Sequence, residues 1–173
     1  MRKSLVIAIL SLMVTAQAAA TQSPSPLLRE APNLRLVGKG EMRWFGLHLY
    51  DASLWANGPW SPQQTFALDL EYAREIPGKR LVESSISEMR RLGLQDEEKL
   101  ARWAEALTRV FPDVKKGDRI VGVHLPGKGA SFYHQGQPTG SVDDPEFAER
   151  FFAIWLDPRT REPSLRKALL GQR

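Results

Sequence analysis

The chain contains no cysteine. That excludes disulfides, thiolate metal sites and a cysteine nucleophile, and it rules out a lipid anchor on a processed N-terminal cysteine. Histidine is scarce: His48, His124 and His134 are the only three, with neither HxxxH nor HExxH spacing. No metal site is expected from them. Neither GxxxxGK[ST] nor GxGxxG occurs in the right setting, so Pro126-Gly127-Lys128-Gly129 reads as a hairpin connection and not a phosphate loop. The absence of GxSxG removes the serine-hydrolase elbow. Charge of one sign is lacking too. The 24 basic residues face 20 acidic ones, too mild a surplus to argue for a nucleic-acid partner.

Long apolar runs are missing except at the start. Met1-Arg2-Lys3 forms a positive n-region, Leu5 to Val14 a short apolar h-region, and Ala16-Gln17-Ala18 or Ala18-Ala19-Ala20 a small-residue cleavage site. The run is short for a bilayer span. Residues 1–20 are therefore expected to be a signal peptide that leaves no stable membrane anchor, and the mature protein to be periplasmic. About 150 residues remain, one domain's worth. Residues 21–33, rich in proline and serine, read as a flexible leader, and 34–171 as the folded domain.

What is present alternates between two periodicities. Leu34-Arg35-Leu36-Val37 continues through Met42 and Arg43 as a first strand, with glycines allowing a bend. A tight turn near Gly46 leads into Leu47 to Trp55, apolar on both faces and so expected to be covered on both sides. Phe66 to Tyr72 alternates strictly. Pro77-Gly78 opens a helix whose apolar residues recur at helical spacing to Leu92, stopped by Gly93; Asp96-Glu97-Glu98 opens a second with Leu100, Trp103 and Leu107 in its stripe. Arg119 to Leu125 is a strand, and a hairpin turns at Gln135-Gly136-Gln137. Asp144-Pro145 caps a helix that is apolar nearly all round, and Pro163 starts a short last one. The order is α+β, with helices layered on a mostly antiparallel sheet. The basic residues Arg159, Arg161, Arg166, Lys167 and Arg173 read as one solvated face.

Arg43 and Tyr50 stand out as a chemical pair. Arginine offers a fork matched to a carboxylate and tyrosine a third donor. On spacing alone, Arg43 pairs with a strand neighbour such as Glu41 or Asp51 while Tyr50 packs.

Gly38-Lys39-Gly40-Glu41-Met42-Arg43 with the Leu47 to Leu54 strand, Leu68 to Tyr72, Ser85 to Arg91, Phe111 to Val114 before Gly117-Asp118-Arg119-Ile120, Gly127 to Phe132, Gly136 to Gly140, and Phe147 to Leu156 running into Asp157-Pro158 and Leu169-Leu170-Gly171 together resemble the chalcone isomerase-like family, in its exported bacterial branch. The resemblance implies an open-faced β-sandwich, a large antiparallel sheet covered by helices with a cleft between them. It implies no cofactor. It matches Arg43 and Tyr50 to residues that hold the carboxylate of fatty acids in binding relatives. In the plant enzymes an arginine in the first strand region orients the substrate and stabilises developing charge. Three readings stay open: a carrier of a small amphipathic organic acid, a cofactor-free isomerase or intramolecular lyase using Arg43 and Tyr50 on an aromatic ligand, and a structural module without a ligand.

Overall fold

The computed structural model describes residues 31 and 33–172. The segment expected to be a signal peptide, and the leader through residue 30, lie outside the described residues. Six strands form one antiparallel sheet: β1 (Arg35–Trp44), β2 (Leu47–Ala56), β3 (Phe66–Tyr72), β4 (Arg119–Leu125), β5 (Gly129–His134) and β6 (Gln137–Val142). Their spatial order equals their chain order. Helices α1 (Gly78–Arg91) and α2 (Glu97–Val110) are inserted between β3 and β4; α3 (Pro145–Leu156) and α4 (Pro163–Leu169) follow β6. This is the α+β layering read from the sequence.

Local chemistry explains the helix ends. Asp96 accepts a hydrogen bond from the Lys99 amide at 2.9 Å, and Asp144 accepts from the Glu146 and Phe147 amides at 2.9 and 3.2 Å. These are side-chain caps on otherwise unpaired donors. The Trp103 indole donates to the second Asp144 oxygen at 2.9 Å, so the start of α3 is tied to α2.

Strand alternation sorts the sheet into two faces. On β3, Phe66, Leu68, Leu70 and Tyr72 enter the main core against the helices. Ala67 turns to the other face, where it joins Val121, Val123, Tyr133, Ala31 and Leu34 in a second cluster. Ala31, near the end of the expected leader, and Leu34, the first residue of the expected domain, are therefore packed. Asp69 is buried and is held by both Nε and Nη2 of Arg119. Burial raises the Asp69 carboxyl above its usual range, and the guanidinium opposes that rise. Removing Arg119 would strand the buried Asp69 charge, whereas Arg119 is partly exposed and keeps Glu71 at 3.6 Å.

The expectation that β2 is covered along its length needs correction. Its second half is buried through Ala52, Leu54 and Ala56, but Leu47 at its start is 51% exposed. The two-residue turn Phe45-Gly46 lifts the β1–β2 hairpin tip clear of the helices. Phe45 and Gly46 have φ of 46° and 79°, the left-handed values of a type I′ hairpin turn.

Gly38 and Gly40 let α4 lie directly on β1. A Cβ at Gly38 would overlap the carbonyl oxygens of Ala168 and Leu169, the latter at 2.6 Å; one at Gly40 would meet Leu165 Cδ1 and Ala168 Cβ, each at 2.9 Å. Gly38→Ala should therefore lower stability by about 2–4 kcal/mol in urea unfolding. Lys39→Ala, at the exposed position between them, should change it by less than about 0.5 kcal/mol.

Candidate functional site

Between the sheet and the helices lies a cavity of about 580 Å³. Its floor is the core face of the sheet, including Leu68, Leu70, Ile120 and Gly122; its roof includes Leu81 of α1 and Phe151, Phe152 and Trp155 of α3. Gly122 leaves room above the floor, since a Cβ there would sit 3.3 Å from the rings of Phe132 and Phe152. The aromatic side chains wall this space and leave it open.

Tyr50 reaches the cavity because of its place in the register. It pairs with Met42 on β1 and Tyr72 on β3, so these three side chains form a row across the sheet on its core face. The register slips by one residue between the Met42–Tyr50 and Arg43–His48 pairs, making Leu49 an extra residue in β2. Leu49 and Tyr50 consequently both border the cavity. The Tyr50 ring meets Tyr72 edge-on at 5.8 Å.

The Tyr50 hydroxyl accepts a hydrogen bond from Trp155 Nε1 at 2.9 Å. With that acceptor position occupied, its own O–H is left to donate. Burial pushes the phenol far above its usual range, and the carboxylates of Glu162 and Glu88 push it further. Tyr72 is pushed up chiefly by burial as well. At neutral pH Tyr50 is a hydrogen-bond donor and has no capacity as a base.

The structure does not bring Arg43 to Tyr50. Arg43 follows Met42, and strand alternation turns it away from the face that Met42 shares with Tyr50. Its side chain is 54% exposed, pairs with Glu41 at 2.7 Å and does not border the cavity. This is the neighbour pairing that spacing suggested, and it corrects the joint anchor implied by the resemblance. The cations that do border the cavity are Arg80 of α1 and Arg161, just before α4. Arg161 Nε lies 2.7 Å from Glu88 Oε1, while Arg91 Nε takes Glu88 Oε2 at 2.8 Å. One carboxylate is thus shared by two guanidinium groups.

The basic C-terminal residues accordingly do not form one solvated face. Arg159 closes on Asp157, Arg166 donates to the Leu156 carbonyl at 2.7 Å, and Arg161 sits at the cavity mouth. Sequence reasoning missed Arg80, Trp155 and Arg161 as site residues. Of the three, only Trp155 carried a signal, as an indole needing a partner on an otherwise apolar helix. Among the described residues, no group of three His, Cys, Asp or Glu side chains could hold a metal ion.

A family model described as chalcone isomerase-like matches residues 15–171. No curated protein matches the chain. Among solved structures, the chain is similar to the fatty-acid binding protein of Arabidopsis thaliana, with a TM-score of 0.62 at 14% identity, over 80% of this chain and 87% of that one. At that identity the likeness is one of fold.

Tyr50→Phe should cost about 1–2 kcal/mol, because the partly buried Trp155 N–H loses its acceptor. The double variant Tyr50→Phe/Trp155→Phe should cost less than the sum of the two single changes, which a double-mutant cycle by chemical denaturation measures. In an alkaline titration, Tyr50 and Tyr72 have folded pKa values above their ordinary 10.0. Their contribution is intact below pH 10 and is lost as pH rises beyond it. Phenolate absorbance from these two residues should appear together with loss of near-UV circular dichroism, not before it.

Proposed function

Because the chain belongs to the chalcone isomerase-like family, we propose that its cavity is a binding site for a small amphipathic acid, fatty-acid-like in character, held without chemical change. The observation that carries this reading is the open apolar space bordered by the partly buried Tyr50 O–H and by the guanidinium groups of Arg80 and Arg161, of which Arg161 is held beside Glu88. The tail lies along Leu68, Leu70 and Phe152. The carboxylate accepts from Tyr50 and is offset by Arg161, whose present partner Glu88 keeps Arg91. Without that cation, Glu88 and Glu162 would repel an acid. The signal-like pattern of residues 1–20 supports an exported carrier.

Micromolar affinity corresponds to about 8.2 kcal/mol, the gross yield of about ten buried methylenes. A medium or long acyl chain therefore suits the site and a short one does not. The fatty-acid binding neighbour supports the same ligand class. The isomerase reading asked Arg43 to stabilise an enolate. With Arg43 outside the cavity and Tyr50 held protonated, no observation favours it over binding.

Dodecanoate titrated into the protein by calorimetry should bind with micromolar affinity. Arg161→Ala should weaken it at least tenfold, and Ser84→Trp, at an exposed position on the cavity wall, should obstruct entry. Arg43→Ala should bind as the parent does. Dodecanol binding as tightly as dodecanoate would remove the acid from the proposal, and no binding of either would remove the carrier.

A further inference from the structure

The β1–β2 hairpin ends in Trp44-Phe45-Gly46-Leu47. Phe45 is 90% exposed, Leu47 51% and Trp44 44%. The Phe45 ring meets that of Trp44 edge-on, with centroids 5.1 Å apart. Nothing in the fold accounts for a phenylalanine there. A type I′ turn asks for asparagine before glycine, because both central residues need positive φ. Phenylalanine at φ 46° accepts backbone strain and gains no burial in return.

The tip stands beside the cavity, since Trp44 and Leu49 are among its walls. The first turn of α1, also on the cavity wall through Arg80, carries Lys79 and Arg80. Those two share Glu83 at 3.8 and 3.7 Å. Of the charged residues, Arg80, Arg161, Glu88 and Glu162 border the cavity, and Lys79 and Arg91 join them through Glu83 and Glu88. The arrangement sets an apolar wedge of Trp, Phe and Leu and the exposed cations of α1 beside one apolar cavity, which Trp44 and Arg80 both border.

We infer that this hairpin tip inserts reversibly into the interfacial layer of a lipid bilayer, so that the cavity mouth opens onto the membrane. Aromatic and leucine side chains beside basic residues match the boundary between acyl chains and headgroups. The side chains, at roughly 150–250 Å² each, expose on the order of 300–400 Å² together. That is under half of the ~800 Å² per partner a stable protein interface needs. It suits a wedge entering a fluid phase better than a second copy docking face to face. The exposed Lys79 and Arg80 make anionic lipid helpful, with apolar insertion dominant. Ligand passing along the tip would avoid crossing water. This docking is separate from ligand binding and can hold or fail without it.

Because the chain has no cysteine, a single Leu47→Cys full-length variant takes one environment-sensitive dye at the tip. Lys128→Cys takes it in the β4–β5 turn, at the opposite end of the sheet. With phosphatidylcholine vesicles, alone or mixed with phosphatidylglycerol, the dye at 47 should shift to the blue and be quenched by lipid-borne quenchers, while the dye at 128 stays unchanged. Phe45→Asn should keep or raise the unfolding midpoint, since asparagine suits the turn, yet bind vesicles at least tenfold more weakly. The inference is overturned if the dye at 47 is silent while the protein sediments with vesicles. It is equally overturned if Phe45→Asn binds vesicles like the parent, or if the dye shifts with protein concentration in the absence of lipid. Dodecanoate binding of Phe45→Asn in vesicle-free buffer should equal the parent's; a lack of binding in both would count against the carrier and leave docking standing.

Discussion

The hydrogen bond from Trp155 to Tyr50 joins the helix layer to the sheet across space that apolar side chains do not fill. Each partner is costly to bury alone, so the bond fixes how α3 sits over β2 and holds the Tyr50 ring in one orientation. It also assigns the hydroxyl its role: with its oxygen already accepting, the phenol has a proton to give. The nearby carboxylates of Glu88 and Glu162 reinforce this by disfavouring a phenolate. A donor held in an apolar chamber, with guanidinium groups among its walls, is the arrangement on which the proposed acid-binding site rests.

What was legible in the sequence was local. The strict alternation of Phe66 to Tyr72, the Asp144 cap, the helix start at Asp96 and the turn before Leu47 each depend on residues a few places apart and are legible; that Asp96 itself caps its helix came from the structure. Cross-strand register is not local. Whether Arg43 shares a face with Tyr50 depends on the pairing of β1 with β2 and on one extra residue at Leu49, which no period in either strand reveals. Parity within β1 alone was informative, since Met42 and Arg43 must point to opposite faces. Which of the two faced the helices was not.

Two apolar patterns that look alike in the sequence turned out to have different causes. The second half of β2 is apolar because it is core. Its start, with the turn before it, is apolar although it faces outward. Likewise the arginines near the C-terminus form a run in the sequence but separate in space, because the chain turns at Asp157 and again before α4. The paired glycines of β1 read as places for a bend, and β1 does carry a register shift between Leu36 and Gly38. Their larger use is to admit a helix at van der Waals distance.

The sheet's strand order equals its chain order, so it is a meander in which each strand needs only its predecessor in order to pair. The pieces that complete the chamber come late: Trp155, Arg161 and Leu165 all follow the last strand. In chain order, the sheet can exist as a half-covered tray, with α1 and α2 in place, before α3 and α4 complete its lid and cover the remaining apolar surface. Whatever receives the nascent protein meets that tray first, and roughly the last thirty residues, from Pro145 onward, turn it into a container.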